Sequence, residues 1–176
     1  SESTLDARAE KVVGLILKSR QQGKKSTFDR KESLFLAQEI AEESAVLLKN
    51  DEDILPLTAD GGEKIAIIGA FAEKPRYQGG GSSHINAYRV KGALDTAQHS
   101  NIVYAAGFGA GGEALSESEI DKAVRAAKNA QTAVIFAGLP DSYESEGYDR
   151  RHMKLPSSQN ELIEKIAAVQ PNTVVV

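Results

Sequence analysis

Three short apolar runs constrain this chain more than any other feature. Lys64-Ile65-Ala66-Ile67-Ile68-Gly69, Thr132-Ala133-Val134-Ile135-Phe136-Ala137-Gly138 and Thr173-Val174-Val175-Val176 are continuous rather than alternating. A strand with one wet face alternates polar and apolar side chains. An unbroken apolar run of this length is what a strand covered on both faces looks like, as in a parallel sheet. Helical patterns lie between the runs. Ser116 is placed to cap a helix from Glu117 to about Ala130, with Glu119 completing a capping box. Ser157 or Ser158 opens another helix through Val169, and Pro171-Asn172 turns into the last run. Residues 101–105 are a candidate further strand. This alternation predicts an α/β fold with a mainly parallel sheet and flanking helices. Ligands of such sheets sit at the carboxyl ends of the strands. The two unusual loops leaving strand ends, 70–90 and 139–156, are therefore the expected functional region.

Two helical patterns precede the sheet. The first runs from residue 4 to about 22, with Leu5, Val12, Val13, Leu15, Ile16 and Leu17 as its apolar stripe and Gly23-Lys24-Lys25 as its stop. The second runs from about Arg30 to Leu48, with Asp29 as candidate N-cap. Asp51 to Gly62 reads as a polar linker. The chain has 176 residues, 41% hydrophobic and 26% charged, enough apolar material for a core and against wholesale disorder. A net charge of −4 argues against a dedicated nucleic-acid binder. The absence of cysteine excludes a disulfide scaffold and thiolate metal sites, and leaves the compartment open. No apolar run approaches the roughly 20 residues that span a bilayer. The chain opens without Met and stops on an apolar run, so both ends are expected to be cuts in a longer polypeptide. A sheet edge exposed by such a cut is expected to promote self-association.

The chemistry-bearing side chains concentrate in the second loop. Asp141, Glu144, Glu146, Asp149, Arg150, Arg151 and His152 lie there beside Tyr143 and Tyr148. Hydrolysis of a glycosidic bond needs a carboxyl group that protonates the leaving oxygen, and Glu144 or Glu146 could supply it. Asp149 and Arg150 could order the loop or bind hydroxyls. A solvated charged loop is the plainer reading of the same composition. The run Gln78-Gly79-Gly80-Gly81-Ser82-Ser83 could cradle an anion on backbone N–H groups, or be a tight turn near a ligand groove. No GK[ST] follows it, and no dinucleotide fingerprint follows Gly69, which leaves a nucleotide-binding domain poorly supported. His84, His99 and His152 are scattered without metal-ligand spacing, so no metal is expected.

Several ordered landmarks resemble glycoside hydrolase family 3. They are Glu43-Ser44-Ala45-Val46-Leu47-Leu48-Lys49-Asn50, Ile54-Leu55-Pro56-Leu57, Ile65-Ala66-Ile67-Ile68-Gly69 and Gly79-Gly80-Gly81-Ser82. Glu144-Ser145-Glu146-Gly147-Tyr148-Asp149-Arg150, then Leu155-Pro156, Gln159 and Pro171 to Val176, complete the set. The resemblance implies a retaining β-glycosidase, mostly β-glucosidase or β-xylosidase, built from a (β/α)8-type barrel and an α/β sandwich. It implies that residues 1–25 are the terminal barrel helix, 26–60 the linker and the helix leading into the sandwich, and 61–176 a truncated sandwich domain. A barrel aspartate would be the nucleophile, and its motif is absent here, so the chain alone is expected to be inactive. The acid/base would be Glu146, with Glu144 as the alternative. Asp149, Arg150, Ser82 and Tyr148 are the implied substrate contacts. The substrate would be a β-linked oligosaccharide or glycoside, the partner the barrel domain, and no cofactor is implied. A non-catalytic sugar- or partner-binding α/β domain is the competing reading.

Overall fold

The structure, a computed structural model, describes residues 1–21, 27–58 and 61–176. It divides into two compact units, Ser1–Asn50 and Asp51–Val176. The expected boundary between residues 25 and 26, the Gly23-Lys24-Lys25 stop and the end of the linker at residue 60 lie outside the described residues.

The first unit holds α1 (Glu2–Gln21) and α2 (Arg30–Glu43). Asp29 caps α2 as expected. Its carboxylate accepts from the N–H of Lys31 at 2.8 Å and of Glu32 at 3.3 Å. The helix stops at Glu43, five residues before the expected Leu48. Ser44 stands at the end of the helix, where its N–H and its hydroxyl both donate to the Ile40 carbonyl, at 3.0 and 2.6 Å. Neither helix buries a residue, and apolar side chains such as Leu15, at 69% exposure, face solvent.

The second unit is a four-stranded, wholly parallel sheet of order β2-β1-β3-β4, with β1 Ile65–Ile68, β2 Ile102–Ala105, β3 Thr132–Ile135 and β4 Thr173–Val175. All four residues of β1 and all four of β3 are buried, as continuous apolar runs require. Their side chains alternate between two cores. Ala66, Ile68, Ala133 and Ile135 pack with Phe108 against α5 (Glu117–Lys128) and α6 (Ser157–Ala167). Ile65, Ile67 and Val134 pack on the other face with Ala72, Ala93 and Leu94, carried by the short helices α3 (Ala70–Glu73) and α4 (Ala93–Thr96). In α5 the inward positions Ile120, Ala123, Val124 and Ala127 fall at three- and four-residue steps.

The expected capping box at Ser116 does not form. Its carbonyl accepts from the Glu119 N–H at 2.9 Å, while its hydroxyl faces that of Ser118 at 3.0 Å. The Glu119 carboxylate is instead paired with Lys122, one turn further on.

Candidate functional site

The strand order creates a crevice. From β1 the chain runs to β2 on one side, then crosses back to β3 on the other. The loops leaving β1 and β3 thus diverge from adjacent strand ends, where open α/β sheets bind ligands. Gly69 permits the close start. It has φ 109°, and a Cβ there would collide with the Phe136 carbonyl oxygen. No other residue type fits both conditions.

The two loops meet further out. The second forms a tight turn over Ser145-Glu146-Gly147-Tyr148. The Ser145 N–H donates to the Tyr148 carbonyl at 3.0 Å, and the Tyr148 N–H to the Ser145 carbonyl at 3.2 Å. Gly147, with φ 97°, supplies the left-handed backbone that the third position of a type II turn needs. Glu146 is therefore lifted to the tip, exposed. The Ser82 backbone N–H, from the glycine loop, donates to its Oε2 at 2.7 Å. This bond, with a contribution from the Ser82 hydroxyl, holds the Glu146 carboxyl below the ordinary glutamate value. The glycine run thus does receive an anion, and the anion is the protein's own carboxylate. Gly80 and Gly81 are packed so closely that a Cβ on Gly80 would meet the Ser145 hydroxyl at 2.5 Å and one on Gly81 would meet the Glu146 side chain.

An open cleft of about 580 Å³ lies at this junction. Glu144, Glu146, Tyr148 and Asp149 line it together with Arg76. Ser82 enters through its bond to Glu146, and Arg150, half-buried, stands outside the lining. Asp149 accepts from the Arg150 N–H at 2.7 Å, which orders the loop after the turn. The Tyr148 hydroxyl reaches the Asp141 carbonyl at 3.4 Å.

Arg76 is the residue that sequence reasoning missed. Its side chain is only 19% exposed and holds the second loop from inside. Nη1 donates to the Leu139 carbonyl at 3.3 Å and to Glu144 Oε1 at 3.4 Å. Nε lies 2.9 Å from Asp141 Oδ1, an ion pair in which the N–H is not directed at the oxygen. The two candidate carboxylates therefore differ in setting: Glu144 is engaged by a guanidinium, and Glu146 by Ser82, through its backbone N–H. Among the described residues no three His, Asp or Glu side chains converge as a metal site. None of the described helices is long and apolar enough to cross a membrane.

Fold and site together define an open parallel α/β domain that presents a carboxylate-bearing turn at its switch point. The profile of the glycosyl hydrolase family 3 C-terminal domain matches residues 45–176, and the chain belongs to this family. The thermostable beta-glucosidase B of Acetivibrio thermocellus is 43% identical over 182 residues, covering 100% of this chain and 24% of that protein. An exo-alpha-(1->6)-L-arabinopyranosidase of Bifidobacterium longum is 40% identical, covering 98% of this chain and 24% of its own length. The crystal structure of the Bifidobacterium adolescentis GH3 beta-glucosidase superposes with a TM-score of 0.83 at 41% identity, over 93% of this chain and 24% of that one. The chain thus spans about a quarter of the length of these relatives.

Proposed function

We propose that this chain is the acid/base-bearing part of a retaining β-glycosidase acting on terminal, non-reducing β-linked sugars. Glu146 protonates the leaving oxygen in the first step and deprotonates water in the second. The nucleophile comes from a barrel domain elsewhere in the longer protein, about 5–5.5 Å from Glu146 in the assembled site, as retention requires. Residues 1–25 are then the terminal helix of that barrel, 26–60 the linker and lead-in helix, and 61–176 part of the sandwich. The chain alone is inactive. Tyr148 and Asp149 contact the sugar from the cleft wall.

The observation that carries this reading is the placement of Glu146 at the tip of a tight turn. Its carboxylate has a fixed partner on one side and open cleft on the other. Glu144 is the weaker choice, because its Oε1 is already engaged by the Arg76 guanidinium at 3.4 Å and its side chain is the less exposed of the two. Glu146 itself begins ionised in the exposed setting, since the Ser82 N–H favours its carboxylate. Closing the cleft against a second domain removes water, disfavours the charged form and raises its pKa toward the acid's task.

The test is Glu146→Gln in the longer enzyme. A poor alkyl leaving group is expected to lose about 10²–10⁴-fold in turnover, the usual worth of general acid catalysis. An activated dinitrophenyl glycoside, which needs no protonation, keeps its glycosylation rate. Equal loss on both substrates, or a rise in KM alone, would turn the assignment toward sugar binding. The relatives include a glucosidase and an arabinopyranosidase by name, so β-glucosides are the first substrates to try and pentosides the second.

A further inference from the structure

Each of the two loops meeting at the cleft is closed by a glutamine amide. The Ile85 N–H donates to Gln78 Oε1 at 3.0 Å, and Gln78 Nε2 donates to the Ile85 carbonyl at 3.2 Å. The Gly138 N–H donates to Gln159 Oε1 at 3.0 Å, and Gln159 Nε2 donates to the Gly138 carbonyl at 2.8 Å. A primary amide has one acceptor and a two-hydrogen donor, so it can satisfy both backbone groups of one residue as a neighbouring strand would. The first clip closes the loop that contains Ser82. The second fixes the backbone between the end of β3 and the loop that contains Glu146.

Gln159 shows that this is a built arrangement. It is fully buried beside Leu162 and Ile166 on α6, where an amide without partners is strongly unfavourable. The neck of the loop is tightened around it. Gly112 has φ 81° and lies against both Pro140 and Pro156, at 3.1 and 3.2 Å from a Cβ position. The Ser158 hydroxyl donates to the Gly112 carbonyl at 2.7 Å. Neither glutamine lines the cleft.

We propose that Gln78 and Gln159 are positioning residues, which fix the two loops so that the Ser82 N–H and the Glu146 carboxylate meet. A hydrogen bond of 2.7 Å tolerates little displacement of either loop, and both of its partners, Ser82 and Glu146, are exposed. The kinetic consequence rests on the acid/base reading of Glu146. The positioning itself does not.

The 176-residue chain tests it by NMR, following the Ser82 amide and the Glu146 side-chain carboxyl through a pH titration. Gln78→Met and Gln159→Met keep side-chain bulk and remove both bonds. Each is expected to shift the Ser82 amide and to move the Glu146 midpoint up, toward the ordinary value. Gln131→Met is the control. Its Oε1 accepts from the Lys64 N–H at 2.7 Å at the opposite end of the sheet, so it costs a comparable backbone bond far from the cleft. It is expected to leave both signals in place. A folded Gln78→Met with both signals unmoved overturns the proposal, as does Gln131→Met moving them equally. Gln78 sits in a surface loop, and its variant decides the matter where Gln159→Met fails to fold. In the longer enzyme, Gln78→Met should cost at least about tenfold on poor leaving groups and little on activated ones. If the NMR shifts appear while Glu146→Gln shows no leaving-group split, the positioning stands and the acid/base reading falls.

Discussion

Every residue of β1 and β3 is buried among aliphatic side chains, whereas the loops leaving those same two strands are held by Arg76, Gln78, Ser82 and Gln159 through polar contacts. The difference follows from what each part must do. Apolar burial is strong and non-directional, so it sets which faces meet without setting the aim of an individual atom. Hydrogen bonds contribute less net stability, but they weaken steeply with distance and angle. A carboxylate that must point into a cleft is therefore held by the second kind of contact. Damage to the sheet should appear as lost stability, and damage to the loops as a misdirected Glu146.

The largest expected effect lies in the sheet. Ile135 is fully buried, and Ile135→Ala removes three carbons from the core shared with α5 and α6. The cost should be about 2–5 kcal/mol of unfolding free energy, read by urea denaturation. The Ser82–Glu146 bond should persist in the folded fraction, because no contact of Ile135 reaches the loop tips. A shifted Glu146 titration in that fraction would mean that sheet and loops are less separate than their contacts indicate.

Gly81→Ala inverts the pattern. Gly81 has φ 72°, and the new methyl would meet the Glu146 side chain. The left-handed backbone alone costs a non-glycine residue about 1–2 kcal/mol. Gly62 separates the two causes. It has φ 74°, and among the described residues none but its chain neighbours comes within 4 Å of a Cβ position, so Gly62→Ala imposes similar strain without the collision. Both variants should lose similar stability in denaturant. Only Gly81→Ala should displace the Ser82 amide resonance, and equal displacement in both would remove the steric argument.

A smaller effect is expected at Arg76 and Glu144. The arginine is largely buried while the Glu144 side chain is 38% exposed, so water screens the pair. A double-mutant cycle of Arg76→Gln and Glu144→Gln should give a coupling of about 0.2–1 kcal/mol, weakening in salt. Arg76→Gln alone should cost more, because it also releases Leu139 and Asp141. A coupling of zero would leave Glu144 as free as Glu146 and reopen the choice between them.

The same contrast explains what the sequence disclosed. The strands β1 and β3 were legible because burial on both faces leaves continuous apolar runs, and Asp29 because its partners are two and three residues away. The shorter α2 and the missing capping box were not. The run Ala45-Val46-Leu47-Leu48 continues the helical pattern past Glu43, and Lys122 offers Glu119 a partner that residue type alone does not rank against the Ser116 N–H. Arg76 was hidden for another reason: Asp141 and Glu144 lie 65 or more positions along the chain, brought near only by the adjacency of β1 and β3. Glu144 and Glu146 were conspicuous as a pair, and motif spacing favoured Glu146. The physical difference between them depends on Arg76 and on the Ser82 N–H, neither of which a motif contains.

The smallest effect is also the most specific to the loop junction. The folded-state pKa of Glu146 lies below its unfolded value, since the Ser82 N–H favours the carboxylate. A depressed pKa of this kind stabilises the fold above the unfolded value, and the contribution fades as pH falls through the folded one. Glu146→Gln abolishes this dependence, because an amide has no proton to take up. Across the acid limb the difference in unfolding free energy, native minus variant, should therefore decline as pH falls and flatten below the folded pKa. Raising the ionic strength should leave most of the difference, because a directional N–H···O bond is screened less than a pair of exposed charges. If the difference were flat with pH, the bond from Ser82 would not be present in solution. The polar clasp of the loops would then have to be rebuilt from Arg76 and the glutamines alone.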